Sequence, residues 1–316
     1  MAFSVVLAAP RGFCAGVERA IKTVELALDA RAEGDERPVY VRHEIVHNRT
    51  VVDDLHARGA VFVEDTRDIP LGATAVFSAH GVSPQVRQEA AERSLSVLDA
   101  TCPLVSRVHA AVLRYAARGY TILFVGHQGH PEVEGVMGEA PGQVLLIQTL
   151  GDAERVHPPD PRKVAYATQT TLSLEDVGAI VQTLRRRFPD MLGPQAGDVC
   201  YATQNRQEAA RALVSQHAAE VVLVVGSPNS SNSNRLREVA EQAGARAYLL
   251  GSADELDPAW LAGAARVGVT AGASTPERVV ERVVERLRQL GATEIKTVET
   301  RVEDVFFAPP PLRLPA

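Results

Sequence analysis

Val-Val-Leu-Val-Val-Gly-Ser-Pro-Asn-Ser-Ser-Asn-Ser-Asn, residues 221–234, sets the fold class. Five consecutive apolar residues, four of them β-branched, suit a strand buried on both faces, as strands of parallel sheets are. A glycine and a polar loop follow, and then a pattern that predicts a helix over Asn234–Ala243. The same unit recurs along the chain. Strands are expected at Val5–Ala8, Val39–Arg42, Ala75–Ser78, Thr121–Val125, Val144–Gln148, Val164–Ala167, Val221–Val225, Ala247–Leu250 and Val267–Thr270. Helices are expected at Val17–Ala30, Pro84–Arg93, Leu104–Arg118, Leu174–Phe188, Asn205–Gln216 and Pro276–Leu290. This alternation predicts an α/β protein with mainly parallel sheets.

The chain has 316 residues, of which 46% are hydrophobic and 23% charged, with a formal charge of −6. This is globular composition with room for two or three domains. An acidic balance argues against a general nucleic-acid binder. The apolar runs are strand length, far below the ~20 residues of a membrane span. The first residues lack the basic region of a secretory signal and read as a strand, which places the protein in the cytoplasm. Disulfides are then disfavoured.

The three cysteines are Cys14, Cys102 and Cys200. Their near-even spacing divides the chain into three similar α/β units, 1–98, 99–197 and 198–316, each with one cysteine. Each cysteine falls at a junction leading into a helix, and a helix N-terminus favours a thiolate. A buried structural role suits any one of them alone. Three at equivalent junctions, with none elsewhere, point instead to a shared iron–sulfur cluster. Structural zinc sites bring cysteines in close pairs, which are absent here. Three thiolates leave a four-iron cluster one protein ligand short, so one iron stays open.

Polar residues collect where strands are expected to end, the ligand edge of open α/β sheets. They are His47, His80, His130 with Glu132, the Thr-Gln-Thr-Thr of 168–171, the Ser/Asn run of 227–234, and Ser274. Hydroxyls, amides and a helix N-terminus suit a compact diphosphate. Ser274 could equally cap a helix, the Ser/Asn run could be a plain loop, and His80 a satisfied buried histidine. No Walker loop or GxGxxG supports a nucleotide. His130 and Glu132 form the best proton-handling pair.

With these residues in view, the chain resembles the 4-hydroxy-3-methylbut-2-enyl diphosphate reductase family. The matching stretches are Pro10–Gly16, His43–Asn48, Ser78–Gly81, Asp99–Val105, Gly129–Gly135, Thr168–Ser173, Cys200–Gln207, Gly226–Arg235 and Thr270–Ser274. The resemblance implies a trefoil of three α/β units around a 4Fe–4S cluster held by Cys14, Cys102 and Cys200. It implies a diphosphate held by His47, His80, Ser230, Asn232 and Ser274, with Ser231 and His130 lining the pocket. Glu132 would relay protons and Thr170 would orient the substrate hydroxyl, with Thr171 beside it. The reaction would be reductive dehydroxylation to isopentenyl and dimethylallyl diphosphate, fed by ferredoxin or flavodoxin. The stretch 30–38 looks lengthened against the family, and the proline-rich tail 308–316 has no matching motif. Rival readings are a redox-neutral iron–sulfur hydro-lyase, a cluster-based redox sensor, and a zinc-bound structural module.

Overall fold

The computed structural model describes residues 2–31, 37–194 and 198–312. Parts of the lengthened stretch 30–38 and of the tail 308–316 therefore lie outside the described residues. The strands are β1 (Phe3–Ala9), β2 (Val39–Arg42), β3 (Ala60–Val63), β4 (Thr74–Phe77), β5 (Ser96–Asp99), β6 (Thr121–Val125), β7 (Val144–Ile147), β8 (Val164–Thr168), β9 (Val221–Val225), β10 (Arg246–Leu250), β11 (Arg266–Ala271) and β12 (Ala292–Glu299). The helices are α1 (Ala15–Asp29), α2 (Arg49–Ala57), α3 (Pro84–Glu92), α4 (Pro103–Ala117), α5 (Pro131–Glu139), α6 (Leu150–Arg155), α7 (Leu174–Arg187), α8 (Tyr201–Ser215), α9 (Ser231–Gln242) and α10 (Glu277–Gln289).

Three sheets result, of orders β10-β9-β11-β1-β12, β3-β2-β4-β5 and β7-β6-β8. All the strand pairings within them are parallel. The first strand thus joins the sheet built mostly from residues 221–299. By contact density the chain forms two compact bodies. One comprises Met1–Val17, His47–Val51 and Tyr201–Phe306; the other comprises Glu18–Val46, Val52–Cys200 and Phe307–Ala316.

The period-two geometry of a strand explains why the sheet strands are apolar throughout. In the five-stranded sheet Val5, Leu7, Val221, Leu223, Val225, Val267 and Val269 face one layer. There they meet Val279, Val280, Val283, Val284 and Leu287 of α10. The intervening Val6, Ala8, Val222 and Val224 face the other layer, against Ala209, Leu213, Leu236 and Val239 of α8 and α9. The three-stranded sheet repeats the pattern. Leu123, Val125 and Tyr166 pack on α7, while Ile122, Phe124 and Ala167 pack on α4 and α5.

Among the described residues, no helix is long and apolar enough to cross a membrane. Leu223 is fully buried between the five-stranded sheet and α10. Leu223→Ala should cost about 2–5 kcal/mol of stability in chemical denaturation, whereas Leu113→Ala, at a 44% exposed position, should cost no more than about 0.5 kcal/mol. Equal effects at the two sites would contradict this core assignment.

Candidate active site

Parallel strands put all their C-terminal ends on one edge, and that edge carries the candidate residues. In the body holding the five-stranded sheet, Cys14 follows β1, Ser230 and Asn232 follow β9, and Ser274 follows β11. These strands are neighbours in the order β9-β11-β1. Helix α9 packs on one face of the sheet and α10 on the other, so the connections diverge at this point. Ser230 is the N-cap of α9: its hydroxyl accepts the Ser233 N–H at 3.3 Å and the Ser233 hydroxyl at 3.1 Å. The start of α9 is pressed onto the strand ends, because a Cβ at Gly226 or Gly272 would lie 2.2 or 2.0 Å from Ser233 Oγ.

Ser231 opens α9 and Asn232 follows it. Asn232 is 5% exposed, yet neither its Oδ1 nor its Nδ2 has a hydrogen-bond partner. The Ser274 hydroxyl donates to the His47 carbonyl at 2.9 Å, which joins the loop after β11 to His47. Five of the sequence-predicted anion contacts therefore lie in this body: His47, Ser230, Ser231, Asn232 and Ser274. Capping and ligand contact coexist at Ser230, whereas Ser274 is not the cap of α10, a place taken by Pro276.

The other body gathers the residues expected from the sequence to handle protons. His130 caps α5, its Nδ1 accepting the Glu132 N–H at 3.1 Å. That bond leaves the proton of a neutral ring on Nε2. The His80 and His130 rings meet edge to face with centroids 5.7 Å apart, and Ser78 Oγ lies 3.2 Å from His80 Nδ1. Glu132 is 2% exposed. Its carboxyl accepts the Thr170 N–H at 2.8 Å on one oxygen and the Thr170 hydroxyl at 2.9 Å on the other. Burial pushes the Glu132 carboxyl up to about 7, against the opposing pull of the Thr170 bonds and with a further push from the Asp198 charge. Gln169, fully buried, accepts the His127 N–H and donates to the Thr171 hydroxyl at 2.9 Å.

Cys102 is the N-cap of α4, and Cys14 and Cys200 immediately precede α1 and α8. The junction reading of all three cysteines agrees with the structure. Backbone bonds tie each to a strand-end loop: Cys14 N–H to Ala273 O, Cys102 N–H to Ala79 O, and Cys200 N–H to Thr170 O. None of the three is in a disulfide, and all are half-buried. Among the described residues, no three His, Cys, Asp or Glu side chains are gathered as one metal ion would require. The donor set still suits a cluster, whose separate irons each take one soft thiolate, unlike a single ion that draws all its ligands onto itself.

Sequence reasoning missed Asp198, a 4% exposed carboxyl that accepts the Thr168 N–H at 3.0 Å. Burial raises its pKa, against that hydrogen bond. It also missed Gln169 as a buried brace. A lone Asp or Gln beside a strand end has no spacing that marks it.

A profile for "LytB protein" matches residues 5–288. The 4-hydroxy-3-methylbut-2-enyl diphosphate reductase of Azoarcus sp. (strain BH72) is 54% identical over 306 residues, 97% of this chain and 96% of that protein. The Methylococcus capsulatus (strain ATCC 33009 / NCIMB 11132 / Bath) protein of the same name is 51% identical over 315 residues, 98% of each chain. Among solved structures, the E-1-hydroxy-2-methyl-but-2-enyl-4-diphosphate reductase of Plasmodium falciparum superposes with a TM-score of 0.91 at 37% identity, covering 100% of this chain and 96% of that one. A structure of (E)-4-hydroxy-3-methyl-but-2-enyl diphosphate reductase, the terminal enzyme of the non-mevalonate pathway, gives 0.63 at 31% identity, covering 91% and 99%.

The Glu132 environment makes a stability prediction. A carboxyl whose folded pKa exceeds its unfolded one holds more protons folded, so its contribution to stability falls as pH rises from about 4.5 to about 7. Glu132→Gln removes that slope. In thermal unfolding the variant should gain on the wild type across this window and keep the gain at pH 8. An offset independent of pH would contradict the raised pKa.

Proposed function

The chain belongs to the LytB family, and from that premise we propose that it is a 4-hydroxy-3-methylbut-2-enyl diphosphate reductase. In this reading two electrons and two protons enter, the allylic C–O bond breaks, and water leaves. The remaining carbon fragment is isopentenyl or dimethylallyl diphosphate. The observation that carries the reading on this chain is the buried pair Glu132–Thr170, a carboxyl held protonatable near neutral pH and bonded twice to one residue.

That pair can deliver a proton without moving. With Glu132 ionised, the Thr170 hydroxyl donates to it. With Glu132 protonated, its O–H donates to Thr170 Oγ, and the threonine hydrogen turns toward the substrate hydroxyl. A proton thus passes from Glu132 through Thr170 to the departing oxygen. His130, fixed by its bond to the Glu132 N–H, presents Nε2–H as a donor, and Thr171 is braced by Gln169.

The unpaired carboxamide of Asn232 supports a diphosphate site, because a buried amide left without partners costs about 1–3 kcal/mol. Phosphate oxygens can accept from its Nδ2, from the Ser230 and Ser231 hydroxyls, from His47 and His80, and from the Ser274 hydroxyl if its hydrogen turns away from the His47 carbonyl. The N-terminus of α9 adds backbone donors and a favourable dipole. Anchoring the diphosphate remote from the breaking bond lets binding energy serve positioning.

Cys14, Cys102 and Cys200 would hold the 4Fe–4S cluster, with the segments 1–98, 99–197 and 198–316 acting as three units that each give one thiolate. When bound, such a cluster supplies electrons one at a time and a Lewis-acidic iron without a protein ligand. Ferredoxin or flavodoxin is the proposed donor, and the cytoplasm the proposed compartment.

The test is anaerobic reconstitution, with iron and sulfide counted and the hydroxy-diphosphate assayed with reduced viologen. We expect both products only when reductant is present. Turnover without reductant would favour the hydro-lyase. Each single Cys→Ser change should abolish the four-iron absorbance, and an intact signal would remove that cysteine as a ligand. Glu132→Gln should keep the absorbance and lower kcat by ~10²–10⁴-fold, while near-normal turnover would refute the proton relay. Asn232→Ala should raise KM by ~10-fold with cluster content unchanged, as expected for losing a hydrogen bond to a charged group.

A further inference from the structure

Arg206 is the largest fully buried side chain among the described residues, and no role has yet been given to it. It lies on α8, the helix that follows Cys200. All three of its nitrogens are engaged. Nε donates to the Gly12 carbonyl at 2.9 Å and Nη2 to the Phe13 carbonyl at 2.9 Å. Nη1 donates to the Ala202 carbonyl at 3.0 Å and to both Glu303 oxygens, at 2.9 and 3.2 Å.

A buried guanidinium is costly unless well paired, and a single partly buried carboxylate is thin pairing for it. Its other partners are neutral carbonyls, and two of them are consecutive. They belong to the turn that carries Cys14. The Phe13 carbonyl and the Cys14 N–H lie on one peptide plane. Arg206 holds the carbonyl side of that plane, and the Ala273 carbonyl holds the N–H side at 3.3 Å. The peptide that sets the direction of the Cys14 side chain is therefore pinned at both ends.

Glu303 completes the clamp, and its own position is determined. Thr300 bonds the Ala9 carbonyl through both N–H and hydroxyl, at 2.9 and 3.0 Å. Arg301 pairs with Glu208 on α8 at 2.8 Å, and Asn205 also donates to Glu303 at 3.0 Å. The segment after β12 is thus folded back over α8, which places Glu303 against Arg206.

We propose that Arg206, seated by Glu303, is a positioning residue for the Cys14 thiolate, holding the 12–14 turn in the one conformation that serves as a cluster ligand. This rests on the assignment of Cys14 as a ligand. It predicts that the fork geometry matters and not the charge alone. A lysine ammonium is a point donor and cannot bridge two successive carbonyls in fixed directions.

The experiment uses the reconstituted holoenzyme and reads iron release to a chelator, the cluster's electron paramagnetic resonance spectrum and the thermal midpoint. Arg206→Lys should speed iron release by ~10- to 100-fold, as losing a residue that orients a metal ligand does, and should alter the spectrum. Glu303→Gln keeps shape and acceptor but loosens the guanidinium. It should move both readouts in the same direction by less, with little change in the thermal midpoint, and it carries the test if Arg206→Lys does not fold. Wild-type release rates and spectra in the folded variants, or changes that merely follow the thermal midpoint, would overturn the proposal. Cys14→Ser and wild type are assayed alongside. A wild type without a cluster, or a Cys14→Ser protein with an intact one, would count against the ligand assignment instead.

Discussion

Parallel pairing is the constraint on which the rest of this structure depends. When all strands of a sheet run the same way, their C-terminal ends share one edge, and each return must cross back from that edge, most often here through a helix. Residues remote in sequence, such as Cys14 and Ser274 or Glu132 and Thr170, are thereby brought to common edges. The same constraint buries the strands on both faces, which is why β9 is Val-Val-Leu-Val-Val and why its chemistry is pushed into the loop beyond it.

Those edges also hold polar groups that a core would not tolerate. Glu132, Asp198 and Asn232 are nearly inaccessible, and Asn232 together with Thr168 Oγ and Thr270 Oγ lacks a partner. Unsatisfied buried groups cost stability. Two of them, Asn232 and Thr270 Oγ, lie at or just beyond β9 and β11 of the five-stranded sheet, whose large apolar layers offset the cost. The Thr170 bonds and burial act on Glu132 in opposite directions, and burial prevails. The result is a carboxyl suited to giving and taking a proton near neutrality.

Much of this was legible in the sequence, for reasons of pattern length and contrast. Strands β2, β6 and β9 coincide with the expected segments because short runs rich in β-branched and aromatic residues are bounded by polar turns. Strands β3 and β5 were not expected; they have four residues each, as the expected β2 does, and at that length periodicity alone decides little. Strand β12, Ala-Thr-Glu-Ile-Lys-Thr-Val-Glu, is a mostly exposed edge strand whose charges guard against further pairing and mask its alternation. Helix α5 was hidden by Gly135 and Gly138. They are there for packing: added Cβ atoms would come within 3.2 Å of His109 and 2.4 Å of Ser83. The cysteines and the Ser/Asn run announced themselves by position, whereas Asp198 and Arg206 gained meaning only once their buried partners were known.

The central claim, that three thiolates hold one cluster with one iron left open, is tested most directly by Mössbauer spectroscopy of the chain reconstituted anaerobically with ⁵⁷Fe. Spectra are recorded with and without the hydroxy-diphosphate. The account predicts one iron distinguishable from the other three, and a change confined to that iron when substrate is added. Four irons that respond alike, or a spectrum without a four-iron cluster, would contradict it.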